Sequence, residues 1–194
     1  MKRAEDLDGY MSTQELDALR LHAAQARTVV EIGSWAGRSS HALAETCPGV
    51  VHCIDWFRGT PNDPEQEPRV RCAALNGEGE KAYAAFLENL AEFLQAGKVR
   101  LYPLESVVVA SFLGPEIAPI DLLFLDGSHD RASVVADLKA WLPFLGPGGV
   151  LLLHDRDYPS VQQAVADMHL TDLEPLAGSL WKWSLHSDQG VPPC

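Results

Sequence analysis

The chain has 194 residues, 46% of them apolar and 22% charged, a globular balance that excludes a disordered or low-complexity polymer. That length suits one domain, residues 1–194, burying roughly 70% of its unfolded surface. A formal charge of -12 and a pI near 4.9 give no positive field for nucleic acid or an anionic membrane, so a small-molecule partner is expected, with a homo-oligomer left open.

The N-terminal Met-Lys-Arg-Ala-Glu-Asp lacks an apolar signal core, and no apolar run approaches the ~18 residues that span a bilayer. Cys47, Cys53, Cys72 and Cys194 show no C-x-x-C spacing and read as free thiols in a reducing compartment. A cytoplasmic protein is expected.

Leu16, Leu19, Ala23 and Ala26 recur at helical steps over residues 12–26, with Ser12 or Thr13 as cap and Glu15 completing a capping box. This N-terminal helix, within residues 1–27, leads into a strand around Val29, Val30 and Ile32. A helix over 38–46 follows, stopped by Pro48-Gly49 before a second strand, Val50–Asp55. Residues 57–79 are Pro-rich, polar and irregular, and are expected to form a mobile lid. Next come a helix at about 80–95, a strand at 98–102 and a short helix at 105–113 ended by Gly114-Pro115. The apolar strand Ile120–Leu125, a helix with Val134, Val135, Leu138, Trp141 and Leu142 on one stripe, and the turn Gly146-Pro-Gly-Gly149 lead to a strand at 150–153. A helix at 158–168 and two short strands, near Leu173 and at 180–185, complete the chain. Alternating strands and helices predict an α/β fold: a doubly wound three-layer sandwich around a mostly parallel seven-stranded sheet with an antiparallel C-terminal strand.

Ligands in such sheets lie at the carboxyl ends of the strands. Gly33 and Gly37, flanking Ser34 between the first strand and its helix, predict a backbone that a ligand can approach closely. Trp35 stands where a dinucleotide fingerprint needs a second glycine, and Glu31 would repel a pyrophosphate but attract an ammonium group. A nucleoside with a cationic amino-acid tail, S-adenosylmethionine, fits better. Asp55 lies 22 residues past Gly33, near the spacing at which an acid takes a ribose diol. Trp56 is placed to cover an adenine face, and Glu105-Ser106 follow the third strand where small polar groups could meet the ring. Asp126-Gly-Ser-His129 and His154-Asp155 end neighbouring strands, so two carboxylates and two imidazoles should converge as a hard-cation site or as acid-base machinery.

Val-Val-Glu-Ile-Gly-Ser-Trp-Ala-Gly-Arg-Ser, Asp-Leu-Leu-Phe-Leu-Asp-Gly-Ser-His and Gly-Pro-Gly-Gly-Val-Leu-Leu-Leu-His-Asp together resemble the class I S-adenosylmethionine-dependent methyltransferases. Within that class the chain is most similar to the metal-dependent O-methyltransferases that act on sugar or phenolic hydroxyls of natural products. The resemblance covers most of residues 28–168 and implies a Rossmann-like fold. It implies Asp126, His154 and Asp155 as the metal set for Mg2+ or another divalent cation, and His129 as general base beside Asp126. His154 departs from the pattern, which has a carboxylate there, and Arg156 stands where relatives can place a second acid; both shift the expectation toward a metal that accepts imidazole. The expected activity is methyl transfer to a hydroxyl of a small molecule. A metal-dependent hydrolase using Asp126, His129, His154, Asp155 and Asp157 would leave Glu31 and Asp55 without a task, and a methyltransferase-like nucleoside binder without turnover is the remaining alternative.

Overall fold

A computed structural model describes residues 2–63 and 65–185; Cys194 and Pro64 lie outside them. Seven strands form one sheet in the order β3-β2-β1-β4-β5-β7-β6. Its strands are β1 (Thr28–Ile32), β2 (Val50–Ile54), β3 (Val99–Tyr102), β4 (Ile120–Leu125), β5 (Leu145–Leu153), β6 (Glu174–Ala177) and β7 (Leu180–Ser184). The first five run parallel, and β7 runs antiparallel to both β5 and β6. The expected architecture is the observed one.

The pleat divides the core into two layers, because successive side chains on a strand leave opposite faces. Val29, Val51, Leu122, Phe124 and Leu152 meet α1 (Thr13–Ala23), α2 (Arg38–Thr46) and the helices that follow β2. Val30, Ile32, Leu123, Leu125, Leu151 and Leu153 face the other way, against Val109, Leu113, Leu138, Trp141 and Val161. Reversal of strand order on either side of β1 and β4 opens a crevice at their carboxyl ends, and the site lies there.

Four local expectations are corrected. Residues 57–79 contain two short helices, α3 (Pro68–Arg71) and α4 (Ala73–Asn76), and fold back so tightly that a Cβ on Gly59 would lie 2.1 Å from the Val70 carbonyl oxygen. The single helix expected after them is two, α5 (Glu78–Asn89) and α6 (Ala91–Gln95), interrupted at Leu90, whose side chain seats over Gly37. Helix α7 (Ser106–Ile117) runs straight through Gly114 and Pro115. Gly114 there is a packing contact: a Cβ would lie 2.2 Å from the Phe144 ring. Gly146-Pro-Gly-Gly149 is no separate turn but an irregularity inside β5, which pairs Leu145 with Ile120 and Val150 with Leu122. Helices α8 (Arg131–Trp141) and α9 (Pro159–Asp167) fall where the apolar periodicity places them.

Candidate active site

A cavity of about 610 Å³ occupies the crevice, lined by Gly33, Ser34 and Trp35 after β1, Asp55 and Trp56 after β2, and Glu105 and Ser106 after β3. Asp126 and His129 after β4 and His154 and Asp155 after β5 line its other end.

Gly33 is indispensable for a reason the sequence does not show. Its φ is +89°, and a Cβ would lie 2.1 Å from the Asp126 carbonyl oxygen, so the glycine lets the β1 loop press against the end of β4. Asp55 accepts from the backbone N–H groups of Ser34 at 3.0 Å, Trp35 at 2.8 Å and Phe57 at 2.7 Å. The first two fall on Oδ2 and the third on Oδ1, so one Oδ1 lone pair is left for a further donor.

Two expected cofactor contacts are not on the cavity wall. Glu31 follows the strand alternation onto the α2 side, fully buried, where Ser34 Oγ donates to it at 2.8 Å and Ser40 Oγ donates as well. Burial pushes its carboxyl up, and the Ser39, Ser40 and Ser34 hydroxyls only partly offset this. It braces the loop from beneath and has no surface on the cavity. Gly37, at φ +88°, begins α2, and the space of its missing side chain is taken by Leu90 and Phe86.

At the other end the two histidines do converge with the carboxylates. His154 Nδ1 lies 3.0 Å from Asp126 Oδ1 and 3.1 Å from Asp155 Oδ2, while its Nε2 lies 3.2 Å from Glu15 Oε1. His129 Nε2 is 3.0 Å from Asp155 Oδ2, its Nδ1 is 3.0 Å from Asp63 Oδ2, and its ring meets Tyr158 edge-on. Asp63 Oδ2 takes the His129 backbone N–H at 2.6 Å, so its contact with the ring is charge to charge rather than a linear hydrogen bond. Burial alone would lower the His129 pKa, but Asp155 and Asp63 outweigh it and raise the ring to about 10. His154 is likewise raised against the effect of burial, by Asp126, Asp155 and Glu15. Asp155 is held well below the ordinary carboxylate range by the two imidazoles, burial notwithstanding, and its backbone is left-handed at φ +53°. As the site stands, both rings therefore hold their protons more tightly than a free imidazole, where a neutral His129 near its reference value was expected.

Three further acidic side chains stand at this site beyond those the sequence points to. Glu15 was legible only as a helix cap, which it is, with Ser12 N and Oγ on its Oε2 at 2.7 and 2.8 Å. Its Oε1 reaches into the site, also accepting from the Ser179 backbone N–H at 3.0 Å. Asp63, fully buried, comes from the Pro-rich segment. Asp137 had a usable signal: it sits three residues after Val134 and four before Trp141, a carboxylate on an otherwise apolar helix stripe.

Asp126, His154 and Asp155 each offer a ligand atom within 4.8 Å of the others. With Nε2 committed to Glu15, His154 turns Nδ1 toward the two carboxylates, the pattern of a ligating imidazole whose second nitrogen is held by an acid. One nitrogen and two oxygens suit a borderline divalent ion such as zinc or iron better than magnesium.

A parallel sheet with a glycine loop at β1, an acid at β2 and reacting groups at β4 and β5 defines a Rossmann-like nucleoside-binding enzyme fold. Residues 30–156 match the family described as a methyltransferase domain; the chain belongs to that family and carries a class I S-adenosylmethionine-dependent methyltransferase domain. Among solved structures it is similar to the calicheamicin methyltransferase CalS11 (TM-score 0.68, 20% identity, 88% of this chain and 77% of that one). It is also similar to the O-methyltransferase TomG of Streptomyces achromogenes in complex with S-adenosylmethionine (TM-score 0.66, 21% identity, 92% and 82%). An uncharacterized protein of Sinorhizobium fredii, y4gI, is 23% identical over 142 residues, 71% of this chain and 14% of that protein, so the chain spans about one-seventh of that relative's length. No described helix is long and apolar enough to cross a membrane.

Proposed function

We propose that the chain transfers the methyl group of S-adenosylmethionine to a hydroxyl oxygen of a small molecule. The observation that carries this is one cavity with two unlike ends: a glycine loop and Asp55 for a nucleoside, and facing them a cluster of carboxylates and imidazoles able to hold an acceptor oxygen and move its proton. CalS11 is described as a TDP-rhamnose 3'-O-methyltransferase and TomG as an O-methyltransferase, which supports oxygen as the acceptor atom. The hydrolase alternative loses its support with the family assignment.

The sulfonium already carries an activated methyl group, so the carbon–sulfur bond breaks as the carbon–oxygen bond forms and no covalent intermediate with the protein is needed. The chain must align the two reactants and take one proton. A divalent ion held by Asp126, His154 and Asp155 would supply Lewis acidity to the acceptor hydroxyl. Ser34, Asp55 and Trp56 hold the nucleoside in this reading, with Glu105 and Ser106 beside the base. His129 Nε2 is the atom assigned to the proton, at a cost: with its pKa about 10, only about one ring in a thousand is free at pH 7. Asp8, Glu15, Glu65 and Glu67 also line the cavity, while the Arg38 guanidinium is spent on the carbonyls of Glu5, Leu7 and Met11. The acceptor is therefore uncharged or cationic.

The test is release of S-adenosylhomocysteine with matched neutral, amino-bearing and phosphorylated polyols and phenols, followed over pH. Turnover should favour the first two and climb with pH above neutrality, toward an inflection near 10 where no ion draws on Asp155, and His129→Ala should abolish that dependence. Release of product with none of the acceptors would refute the acceptor class. An inflection near 6.5 would show that Asp63 and Asp155 do not hold the proton.

A further inference from the structure

The buried and half-buried acids that line the cavity or face its histidines each meet a cation or a backbone N–H group, with a single exception. Glu15 faces His154, Asp63 faces His129, Asp155 faces both rings and Asp55 takes three backbone N–H groups. Asp137, 8% exposed, also lines the cavity, yet among the described residues it has neither a cation nor a backbone N–H on its carboxyl group. A buried ionised carboxylate without a partner is too costly for a fold to keep without a compensating gain.

We propose that Asp137 recognises the adenine ring of the cofactor, its carboxyl group pairing side by side with the exocyclic amino group and an adjacent ring nitrogen. This rests on the reading of the cavity as the S-adenosylmethionine site. The placement is given by the fold. A Cβ on Gly127, at the end of β4, would lie 3.9 Å from Asp137 Oδ2, so the carboxyl group sits beside the strand end next to the glycine loop. Asp55 and the β1 loop fix the ribose end in this reading, and Ile54, Trp56, Val107 and Ala136 give the same cavity apolar wall for a ring between Asp55 and Asp137.

The chemistry is specific. Trp141 Nε1 donates to Ser106 Oγ at 2.8 Å, which leaves the Ser106 hydroxyl its own proton to give to Asp137. Burial raises the Asp137 carboxyl, Ser106 partly offsets this and the like charge of Asp130 adds to it, bringing the group to about 7. A protonated carboxyl group offers a donor and an acceptor on adjacent oxygens, the complement of an amino group beside a ring nitrogen; an ionised one would set two acceptors against that nitrogen. Ser106 is thereby a positioning residue for Asp137, a narrower role than direct contact with the ring.

Calorimetry of S-adenosylhomocysteine tests this with wild type, Asp137→Asn and Asp137→Ala, and with cofactor analogues in which ring nitrogen N1 or N7 is replaced by CH. Asp137→Asn keeps a donor beside an acceptor and should bind within about threefold of wild type, whereas Asp137→Ala should bind about tenfold or more weakly. One of the two analogues should lose about tenfold against wild type and nothing further against Asp137→Ala, because the same contact is removed twice. Thermal melts establish that each variant is folded. If Asp137→Ala does not fold, the analogues with wild type and Asp137→Asn decide alone: unweakened binding of both overturns the assignment. So does wild-type affinity in a folded Asp137→Ala. Failure of wild type to bind S-adenosylhomocysteine at all would instead refute the cofactor reading on which the assignment stands.

Discussion

Substituting Asp137 by Asn should stabilise the cofactor-free protein in alkaline solution and hardly at all in acid. The carboxyl group goes from an ordinary value of 3.8 in the unfolded chain to about 7 in the folded one. Between those two values the folded state keeps a proton that the unfolded state has released, so the contribution to stability is fully present below the unfolded value and falls as pH rises through the window. Above about pH 7 the loss is complete, and three units correspond to about 4 kcal/mol, an upper bound for a group whose environment can relax. Asn has the same shape, carries no proton to lose and escapes this penalty. Other titrating groups are common to both proteins and cancel in the comparison. Urea unfolding at pH 4 and pH 8 reads the difference directly: with a slope of about 2 kcal/mol per molar, the midpoint of Asp137→Asn should move by up to about 2 M relative to wild type between the two pH values. Parallel pH dependence in the two proteins would show that the carboxyl group is solvated, and the argument from its burial would fail.

Gly33→Ala puts a methyl group 2.1 Å from the Asp126 carbonyl oxygen at a φ of +89°, so it should lower the melting temperature and abolish binding of S-adenosylhomocysteine; normal calorimetry on the variant would show that the loop can move aside. If Asp63 is what pins residues 57–79 to the site, Asp63→Ala should speed tryptic cutting at Arg58, Arg69 and Arg71 several-fold, and an unchanged digestion rate would show that other contacts, among them Phe57 on Tyr83 and Phe86 and Arg69 on Tyr10, hold the segment. Zinc should bind the metal-free protein at least tenfold more tightly than magnesium through His154, and tighter magnesium binding would contradict the donor set of Asp126, His154 and Asp155.

The fold was legible because its signals are local. Capping at Ser12 and Glu15, the β-branched runs of β1 and β2, and the apolar stripe of α8 each follow from residues within a few positions of one another. The misreadings share a cause. Gly114 resembles a helix stop until the Phe144 ring is packed against it, and Gly37 resembles a ligand-binding glycine until Leu90 fills its space. A glycine states that room is needed, and only tertiary packing says for what. Glu31 shows the same limit in a strand: its place in the alternation put it on the face of Val29 and therefore under α2, information present in the sequence but outweighed there by its closeness to the loop.

Site chemistry is less legible than site position, because charge states are set by partners distant in the chain. Asp126, His129, His154 and Asp155 end adjacent strands, and that much follows from the order of strands. What the imidazoles can do depends on Asp63, 66 residues before His129, and on Glu15, 139 residues before His154. A histidine facing one carboxylate is a base tuned near neutrality; one between two, as His129 is between Asp63 and Asp155, is a resident cation. The same pairing makes Asp155 pivotal. It is the only carboxylate among the described residues that touches both rings, and whatever draws it toward Asp126 and His154 weakens its hold on the His129 proton. Asp155→Asn, which keeps the shape and removes the charge, should therefore move the alkaline inflection of turnover below that of wild type, and an unmoved inflection would place the titrating proton somewhere other than His129.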